Sequence, residues 1–466
     1  MNLLQEIRKD EILNIINSNF ENEIYLVGGA VRDYLSGKKT VDRDLIVCDE
    51  DAREFSEKLC KVIDATFVPL DEVNKIYRLV LKDKINYIDI TNPVDNSLEK
   101  DLKRRDFTIN SVAINLKSGE IVDLNNGISD FNNKQINLIA KENLEDDPLR
   151  MLRAFRFQAN LGFEISKEIK DFVENNAHLI HKTAKERINY ELMKLFAGSY
   201  SDIALLNMGK LLEEIFPVVK ELKQVPPNSH HHLDLFHHSI ETVKQIQYLY
   251  NNSGDPVKSH LDSADFGGFS RLAHLKLAGF LHDIGKFSTW KIIDGRHRFI
   301  KHDDVGSKMS VKLLKDLCFS NKQIDYIAPM IKNHIYPSSI ISAPEVNEKI
   351  MMRFVRKMDT NSIDNIIIAM ADRLSARGPE ITEEIIDKNI GGLSDLLDFY
   401  LDKKDTLEPL PILLDGNDVM QILSIKPSPK LGYIMNELHE AQISGDVTTK
   451  EDAIKFVKHA NLSCKE

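Results

Sequence analysis

Residues 24–44, IYLVGGAVRDYLSGKKTVDRD, decide the reading of this chain. An apolar run ends at Gly28 and Gly29, a helix-like segment carries Arg32 and Asp33, and Asp42 and Asp44 flank Arg43. Paired glycines let a backbone turn tightly with its amides outward, a geometry that receives phosphate oxygens. A helix beginning there adds its positive end. The segment VDRDLIV reads as a strand, where alternate residues share a face, so both carboxylates point one way. Carboxylates at that spacing beside a phosphate cradle are suited to the magnesium ions of a nucleotidyl transfer. A lone glycine pair or Asp-x-Asp is a weak sign; strand, turn, helix and strand in that order give it weight.

The rest of the chain sets the frame. At 466 residues it exceeds one hydrophobic core and points to about three domains. Apolar content of 42% and charged content of 29% are those of a soluble globular protein. The net charge of −11 excludes a uniformly basic nucleic-acid binder, though local basic strips remain available. Cys48, Cys60, Cys318 and Cys464 form no Cys-x-x-Cys pair, as expected of reduced thiols. The opening MNLLQEIRKDEILNIINSNF has helical periodicity without a signal-peptide core, and no segment reaches membrane-spanning length. A cytoplasmic protein without membrane contact is expected.

Along the chain, the first ~135 residues mix strands (IYLVGG, RDLIVC, IYRLVLK, INYIDIT, SVAINL) with helices near 1–19 and 51–61. From Asp147 to about residue 375 the pattern is helical. The stretch 223–232, KQVPPNSHHH, reads as a linker with its His run in a polar loop, and 251–270 reads as a second loop. A further break falls near 377–380, before a helical C-terminal segment.

Other residues extend the first site. Asp89 in INYIDIT is a candidate third carboxylate, alternating with Tyr87 and Thr91. Arg104, Arg105 and Asp106 precede the strand at 112, and with Lys100 and Lys103 form a basic strip suited to triphosphate or RNA backbone. In EDDPLRMLRAFRF (145–157), a helix started by Pro148 at its first position sets Asp147 and Arg150 on one face. An Asp accepts from an exocyclic amine while an Arg donates to ring acceptors. That pair selects cytosine and adenine, which present an amine, over uracil and guanine, which present a carbonyl.

Taken together, LVGGAVRD, DRDL, RRDFTIN and DDPLRMLRAFRF resemble, in identity and order, the motifs of class II tRNA nucleotidyltransferases, the bacterial CCA-adding enzymes, and their poly(A) polymerase relatives. VDLNNGISDFNNK (122–134) and TAKERINYELMKLF (183–196, with Glu186 and Arg187) resemble the acidic turn and neck helix of that family. The resemblance implies an α+β fold: a small mixed-sheet nucleotidyltransferase head (1–135), an all-α neck (136–222), a helical body (223–380) and a helical tail (381–466). It implies Asp42 and Asp44 as catalytic and magnesium-binding, and Asp89 as a further catalytic residue. Gly28, Gly29, Arg32, Arg104, Asp106, Asp147, Arg150 and Arg153 are then nucleotide-binding. The substrates are tRNA, CTP and ATP, and the tail contacts tRNA. Addition of CC or A alone, or of poly(A), shares these motifs, and a loop near residues 65–85 is expected to set how many nucleotides are added.

A second constellation lies in the body. DLFHHSIETV (234–243), GFLHDIGK (279–286), KHDDVGSKMS (301–310), IKNHIY (331–336) and AMADRLSARG (369–378) carry ordered His and Asp residues of the kinds that bind divalent metals. They resemble an HD-superfamily phosphohydrolase. The resemblance implies His238 (or, one register away, His237), His282, Asp283 and Asp372 as ligands of a transition metal or magnesium. His302 and His334 match the extra histidines of two-metal members, and Lys286 a contact to substrate phosphate. A 2′,3′-cyclic phosphodiesterase or phosphatase activity in tRNA end repair is the expectation; a purely tRNA-holding scaffold is its rival. A reading from another class is an RNA-binding HD hydrolase with an inactive transferase head.

Overall fold

The computed structural model describes residues 7–37, 40–264, 266–406 and 410–463. Cys464 and the first six residues of the expected N-terminal helix lie outside them. The chain folds as two compact units, one of residues 1–219 with 316–319 and one of 220–315 with 320–466.

The first unit opens with helix α1 (Glu11–Asn19), capped by Asp10. Strands β1 (Ile24–Val27) and β2 (Asp42–Val47) follow, with helix α2 (Gly29–Leu35) between them and α3 (Ala52–Ile63) after. Strands β3 (Thr66–Asp71), β4 (Ile76–Val80) and β5 (Tyr87–Thr91), helix α4 (Leu98–Lys103), and strands β6 (Val112–Asn115) and β7 (Ile121–Asp123) complete a seven-stranded sheet. Its order is β3-β4-β5-β2-β1-β6-β7. Only β2 and β5 run parallel; the other neighbours are antiparallel. The mixed sheet followed by helices is the α+β fold expected.

Alternation sorts the two faces of this sheet. Leu26, Leu45, Val47, Leu79, Ile88 and Ile90 pack with Ile16, Phe55 and Leu59 from α1 and α3 into the main core. Arg43 lies among them and is neutralised by Asp10, 2.7 Å away and itself bonded to the Tyr34 hydroxyl. The opposite face carries Tyr25, Val27 and Ile46 over Leu102. By the same alternation Asp42 and Asp44 share that second face with Ile46, and register sets Asp44 opposite Asp89 and Asp89 opposite Arg78. The expected loop at 65–85 is instead largely the β3–β4 hairpin. Its outer strand is an edge, where Pro69 needs no ladder partner.

Beyond the sheet, helix α5 (Leu149–Leu161) packs against α6 (Lys185–Ala197). In the second unit, α7 (Leu235–Asn252), α8 (Arg271–Leu281), α9 (His302–Asp316), α10 (Asn321–Asn333) and α11 (Ser362–Ser375) supply the body. The presumed loop at 251–270 contains a helix, Asp255–Asp262. Its Pro256 stands in the first turn, where a missing N–H costs nothing. A hairpin of β8 (Trp290–Ile293) and β9 (Arg296–Phe299) breaks the helical pattern expected there. Three C-terminal helices, Gly416–Leu423, Pro429–Ser444 and Lys450–Ser463, gather a small core around Val419, Ile434, Leu438 and Val457.

Candidate active sites

The first site is built where β1 turns into α2. Gly28 has φ of +70°, and a side chain there would put its Cβ 2.8 Å from Asp44 Oδ2 and 3.1 Å from Arg105 Nη1. Glycine is therefore required twice, by conformation and by close approach. Carboxylate oxygens of Asp42, Asp44 and Asp89 lie within 4.8 Å of one another. Burial and the neighbouring Asp42 charge push the Asp44 carboxyl up to about 7. Asp42 is raised as well, by burial and by Asp89, and its Oδ1 is sequestered with no hydrogen-bond partner among the described residues. Mutually repelling carboxylates with an orphaned oxygen suit a divalent cation. Asp89 is engaged differently from the other two: Arg78 donates to both its oxygens, at 2.7 and 2.6 Å.

A cavity of about 400 Å³ opens beside the carboxylates. Its wall carries Arg32, Arg105, Arg150, Arg153, Arg156, Arg187 and Lys194 against Asp42, Asp44, Asp106 and Asp147. Seven cations facing four acids make it a receptor for a polyanion. Arg32 donates to Asn110 at 2.6 Å, which fixes it over the glycine turn. Asp106 is buried. Burial alone would raise its carboxyl, but Arg153 (2.7 Å), the Asn110 amide and the Phe107 N–H hold it at about 2.

One expectation is corrected by this geometry. Arg104 does not reach the cavity; it ends α4 largely in solvent beside Asp101, and Arg105, one residue on, lines the wall. Asp147 and Arg150 stand one turn apart at the entry to α5: Asp147 is extended (φ −133°, ψ 91°), Pro148 is already helical, and the Arg150 N–H donates to the Asp147 carbonyl at 2.9 Å. The Asp147 carboxylate accepts from Arg187 of α6 at 2.9 Å, while the Arg150 guanidinium donates to the Asn143 carbonyl at 3.0 Å. Both still line the cavity. The cavity also uses Arg156, Arg187 and Lys194, which the sequence reading did not single out as ligands; the helical spacing of Arg150, Arg153 and Arg156 was the available signal.

The second site gathers residues from five segments. His238 Nε2 lies 3.1 Å from Asp372 Oδ1 and 3.5 Å from Asp283 Oδ2, and His282 Nε2 is 3.1 Å from Asp283 Oδ2. On the other side of Asp283, Oδ1 stands 3.3 Å from His302 Nε2 and 3.7 Å from His334 Nε2. Three of the rings are oriented from behind: the Nδ1 atoms of His282, His302 and His334 contact the carbonyls of Gly279, Phe299 and Ile331 at 2.6–2.8 Å. Such support leaves each Nε2 turned inward as a ligand atom. His238 Nε2, His282 Nε2 and Asp372 Oδ1 are sequestered without a well-formed hydrogen bond despite these short separations. Groups this close and this incompletely paired fit divalent metal ions, with Asp283 between two sets of ligands. His238 belongs to the cluster, whereas His237 is turned to its own helix cap, Asp234, at 2.8 Å.

Gly285 lets α9 approach: a Cβ there would fall 2.1 Å from the His302 carbonyl oxygen. Lys286 pairs with Asp283 at 2.6 Å. His231, read as part of a polar loop, instead packs its ring edge-on to His238 with centroids 4.4 Å apart, and its Nε2 is 3.5 Å from Lys286 Nζ. Only its place in a His run marked it in the sequence.

Family models match in three places: the poly(A) polymerase head domain over residues 24–137, the probable RNA- and SrmB-binding site of polymerase A over 162–223, and the HD domain over 235–377. The chain belongs to the class II tRNA nucleotidyltransferase and poly(A) polymerase family, with an HD domain. It is similar to the A-adding tRNA nucleotidyltransferase of Deinococcus radiodurans, 28% identical over 93% of this chain and 94% of that protein. The CC-adding tRNA nucleotidyltransferase of Thermus thermophilus is likewise 28% identical, over 93% of each chain. The CCA-adding enzyme of Latilactobacillus sakei is 38% identical over 38% of this chain and 47% of that one. The fold matches the Thermotoga maritima CCA-adding enzyme solved in complex with tRNA, with a TM-score of 0.57 at 22% identity over 99% of this chain and 98% of the other. This is a nucleotidyltransferase, and both its family types depend on divalent metals. Among the described residues no helix is long and apolar enough to cross a membrane.

Proposed function

We propose that this enzyme adds C, C and A to the 3′ end of tRNA from CTP and ATP, without a nucleic-acid template, in the cytoplasm. The carrying observation is the cavity in which seven cations surround a paired-carboxylate face. Asp42 and Asp44 are the residues to hold magnesium, with Asp89 beside them. Bound there, magnesium would make the tRNA 3′-hydroxyl more acidic and neutralise charge on the departing pyrophosphate. The chain's own groups do the placing. The Gly28–Gly29 backbone and Arg32 receive the triphosphate, Arg153 and Asp106 hold its sugar or phosphate side, and Asp147 and Arg150 read the base edge. The Asp147 carboxylate, held by Arg187 at one oxygen, acts as an acceptor, favouring an amine over a carbonyl. Incorporation of labelled CTP and ATP into tRNA transcripts that stop before CCA tests this.

A second reading, addition of CC or of A alone, is favoured by one observation. In sequence, relatives that align with more than nine-tenths of this chain include A-adding and CC-adding enzymes, whereas the CCA-adding enzymes of Latilactobacillus sakei, Leuconostoc citreum, Levilactobacillus brevis and Lactiplantibacillus plantarum align over less than half of it. The same assay with each nucleotide alone separates the two readings.

The HD centre reads as a phosphoester hydrolase acting on RNA 3′ ends, with a 2′,3′-cyclic phosphate as the substrate. His238, His282, Asp283 and Asp372 would hold one metal, and Asp283 with His302 and His334 a second; metal there would supply activated water. Lys286 is placed to meet a phosphate oxygen. The convergence of sequestered, unpaired ligand atoms supports this reading over a bare scaffold. His282→Ala should abolish cyclic-phosphate hydrolysis and leave nucleotide addition unchanged; hydrolysis that persists in this variant, or in chelator, contradicts it.

A further inference from the structure

The β8–β9 hairpin stands between two parts of the HD centre, immediately after Lys286 and just before His302. Over residues 286–301 it carries five cations, Lys286, Lys291, Arg296, Arg298 and Lys301, against the single acid Asp294, in a chain whose net charge is −11. Its register divides it into two faces. Trp290 pairs with Phe299 and Ile292 with His297, so these four share one face; Lys291 pairs with Arg298 and Ile293 with Arg296 on the other.

The first face is aromatic and tied to the metal-ligand cluster. The Trp290 and His297 rings lie 5.3 Å apart at 30°, and Lys286 Nζ is 5.5 Å from the Phe299 ring centroid. The Phe299 carbonyl holds the His302 ring at 2.8 Å. Trp290 Nε1 and His297 Nδ1 are sequestered from water with no hydrogen-bond partner among the described residues. The second face is exposed and basic. Lys291 directly opposes Arg298 across the ladder, and none of Lys291, Arg296 and Arg298 has a carboxylate within ion-pair distance among the described residues. Like charges directly opposed destabilise a sheet, and a free two-stranded hairpin has little stability to spare. A bound polyanion would offset that repulsion. An exposed row of cations without carboxylate partners is the chemistry that tracks a nucleic-acid backbone.

We infer that this hairpin is a binding wing for single-stranded RNA, delivering a strand's 3′-terminal phosphate to the HD centre. The inference rests on the phosphoester reading of that centre and adds the recognition element: the basic face tracks the backbone of a strand whose end reaches the metal ligands. Terminal substrates shorter than a dinucleotide bypass it.

The direct test is photocrosslinking of the full-length, metal-supplemented enzyme to a 12-nucleotide RNA with 4-thiouridine at its last position and a 3′-phosphate. Labelling of a peptide within 290–299, lost at least tenfold in the triple variant Lys291→Ala, Arg296→Ala, Arg298→Ala, is the expected result. No label in that peptide overturns the wing, whether or not the centre turns over. Displacement of the label by polyglutamate but not by unlabelled RNA overturns it too, since that marks an acidic polypeptide as the partner. In hydrolysis of the same RNA carrying a 2′,3′-cyclic phosphate, the triple variant should raise KM about tenfold, with kcat for 2′,3′-cyclic AMP within twofold of wild type. The log–log salt slope of that KM should fall by about two, at ~0.7 per phosphate contact on a single strand. Equal losses on both substrates would assign the three residues to folding and contradict the wing. A wild-type enzyme inert toward both would refute the hydrolase reading and leave the crosslink to decide the wing.

Discussion

Arg78 on β4 clasps Asp89 on β5 with two hydrogen bonds of 2.7 and 2.6 Å, directly beside the strand that carries Asp42 and Asp44. Three carboxylates thus share one face of the sheet, and one of them has its charge matched by the protein. The guanidinium also lies 3.9 Å from the centroid of the Tyr87 ring, whose strand is paired with that of Asp42.

Removing this clasp should be felt most without metal. Arg78→Ala leaves three acids within 4.8 Å and no cation on Asp89. The variant should lose about 1 kcal/mol of stability in chelator, a modest figure because the pair is partly exposed. Added magnesium should raise its melting temperature by more than it raises that of wild type. Equal magnesium shifts in the two proteins would contradict the shared carboxylate face.

Asp44→Asn should separate chemistry from folding. The carboxyl is buried and pushed up to about 7, so its ionised form is a cost to the fold rather than a support. The amide variant should melt no lower than wild type in chelator while losing at least a thousandfold in nucleotide incorporation. Near-normal turnover would contradict the metal assignment; a large drop in melting temperature would contradict the electrostatic one.

Discrimination among bases should reside in Asp147. Replacing it by Ala removes the acceptor for an exocyclic amine and leaves Arg187 without its 2.9 Å partner. Selectivity for CTP over UTP should fall by roughly tenfold to a hundredfold, the range of a good base-edge contact. Competition between the two labelled nucleotides checks it.

Asp106 supplies a pH signature. Its native carboxyl is held at about 2, below the ordinary 3.8, so the stabilisation it gives is complete above the unfolded value and is lost as pH falls toward the native one. Between pH 4 and pH 2 wild type should lose about 2 kcal/mol that Asp106→Asn does not have to lose. Denaturation at pH 7 and pH 2.5 measures the converging difference.

Much of this was legible in the sequence because the chemistry is carried by short, local patterns. Strand alternation placed Asp42 and Asp44 on one face, and the same alternation brought Asp89 to them. The His and Asp residues of the body were legible in order, and the cluster they form in space uses His238 rather than the adjacent His237 because Asp234 caps the helix and takes His237 with it. What stayed hidden depended on long-range register or on single-residue helix boundaries. Arg104 and Arg105 differ by one step at a helix end, and only folding shows which faces the cavity. The Asp147 partner is Arg187, 40 residues away on another helix. The β8–β9 hairpin had a local signal, Asp294-Gly295 between two four-residue strands, which a helical reading of the surrounding body passed over.

The measurement that bears most directly on the central claim is incorporation of labelled CTP and ATP, separately and together with magnesium, into tRNA transcripts that end before CCA. Two C residues followed by one A, abolished by Asp44→Asn, is the predicted result. Untemplated A tracts on generic RNA, or no incorporation of either nucleotide by a folded enzyme, would contradict it.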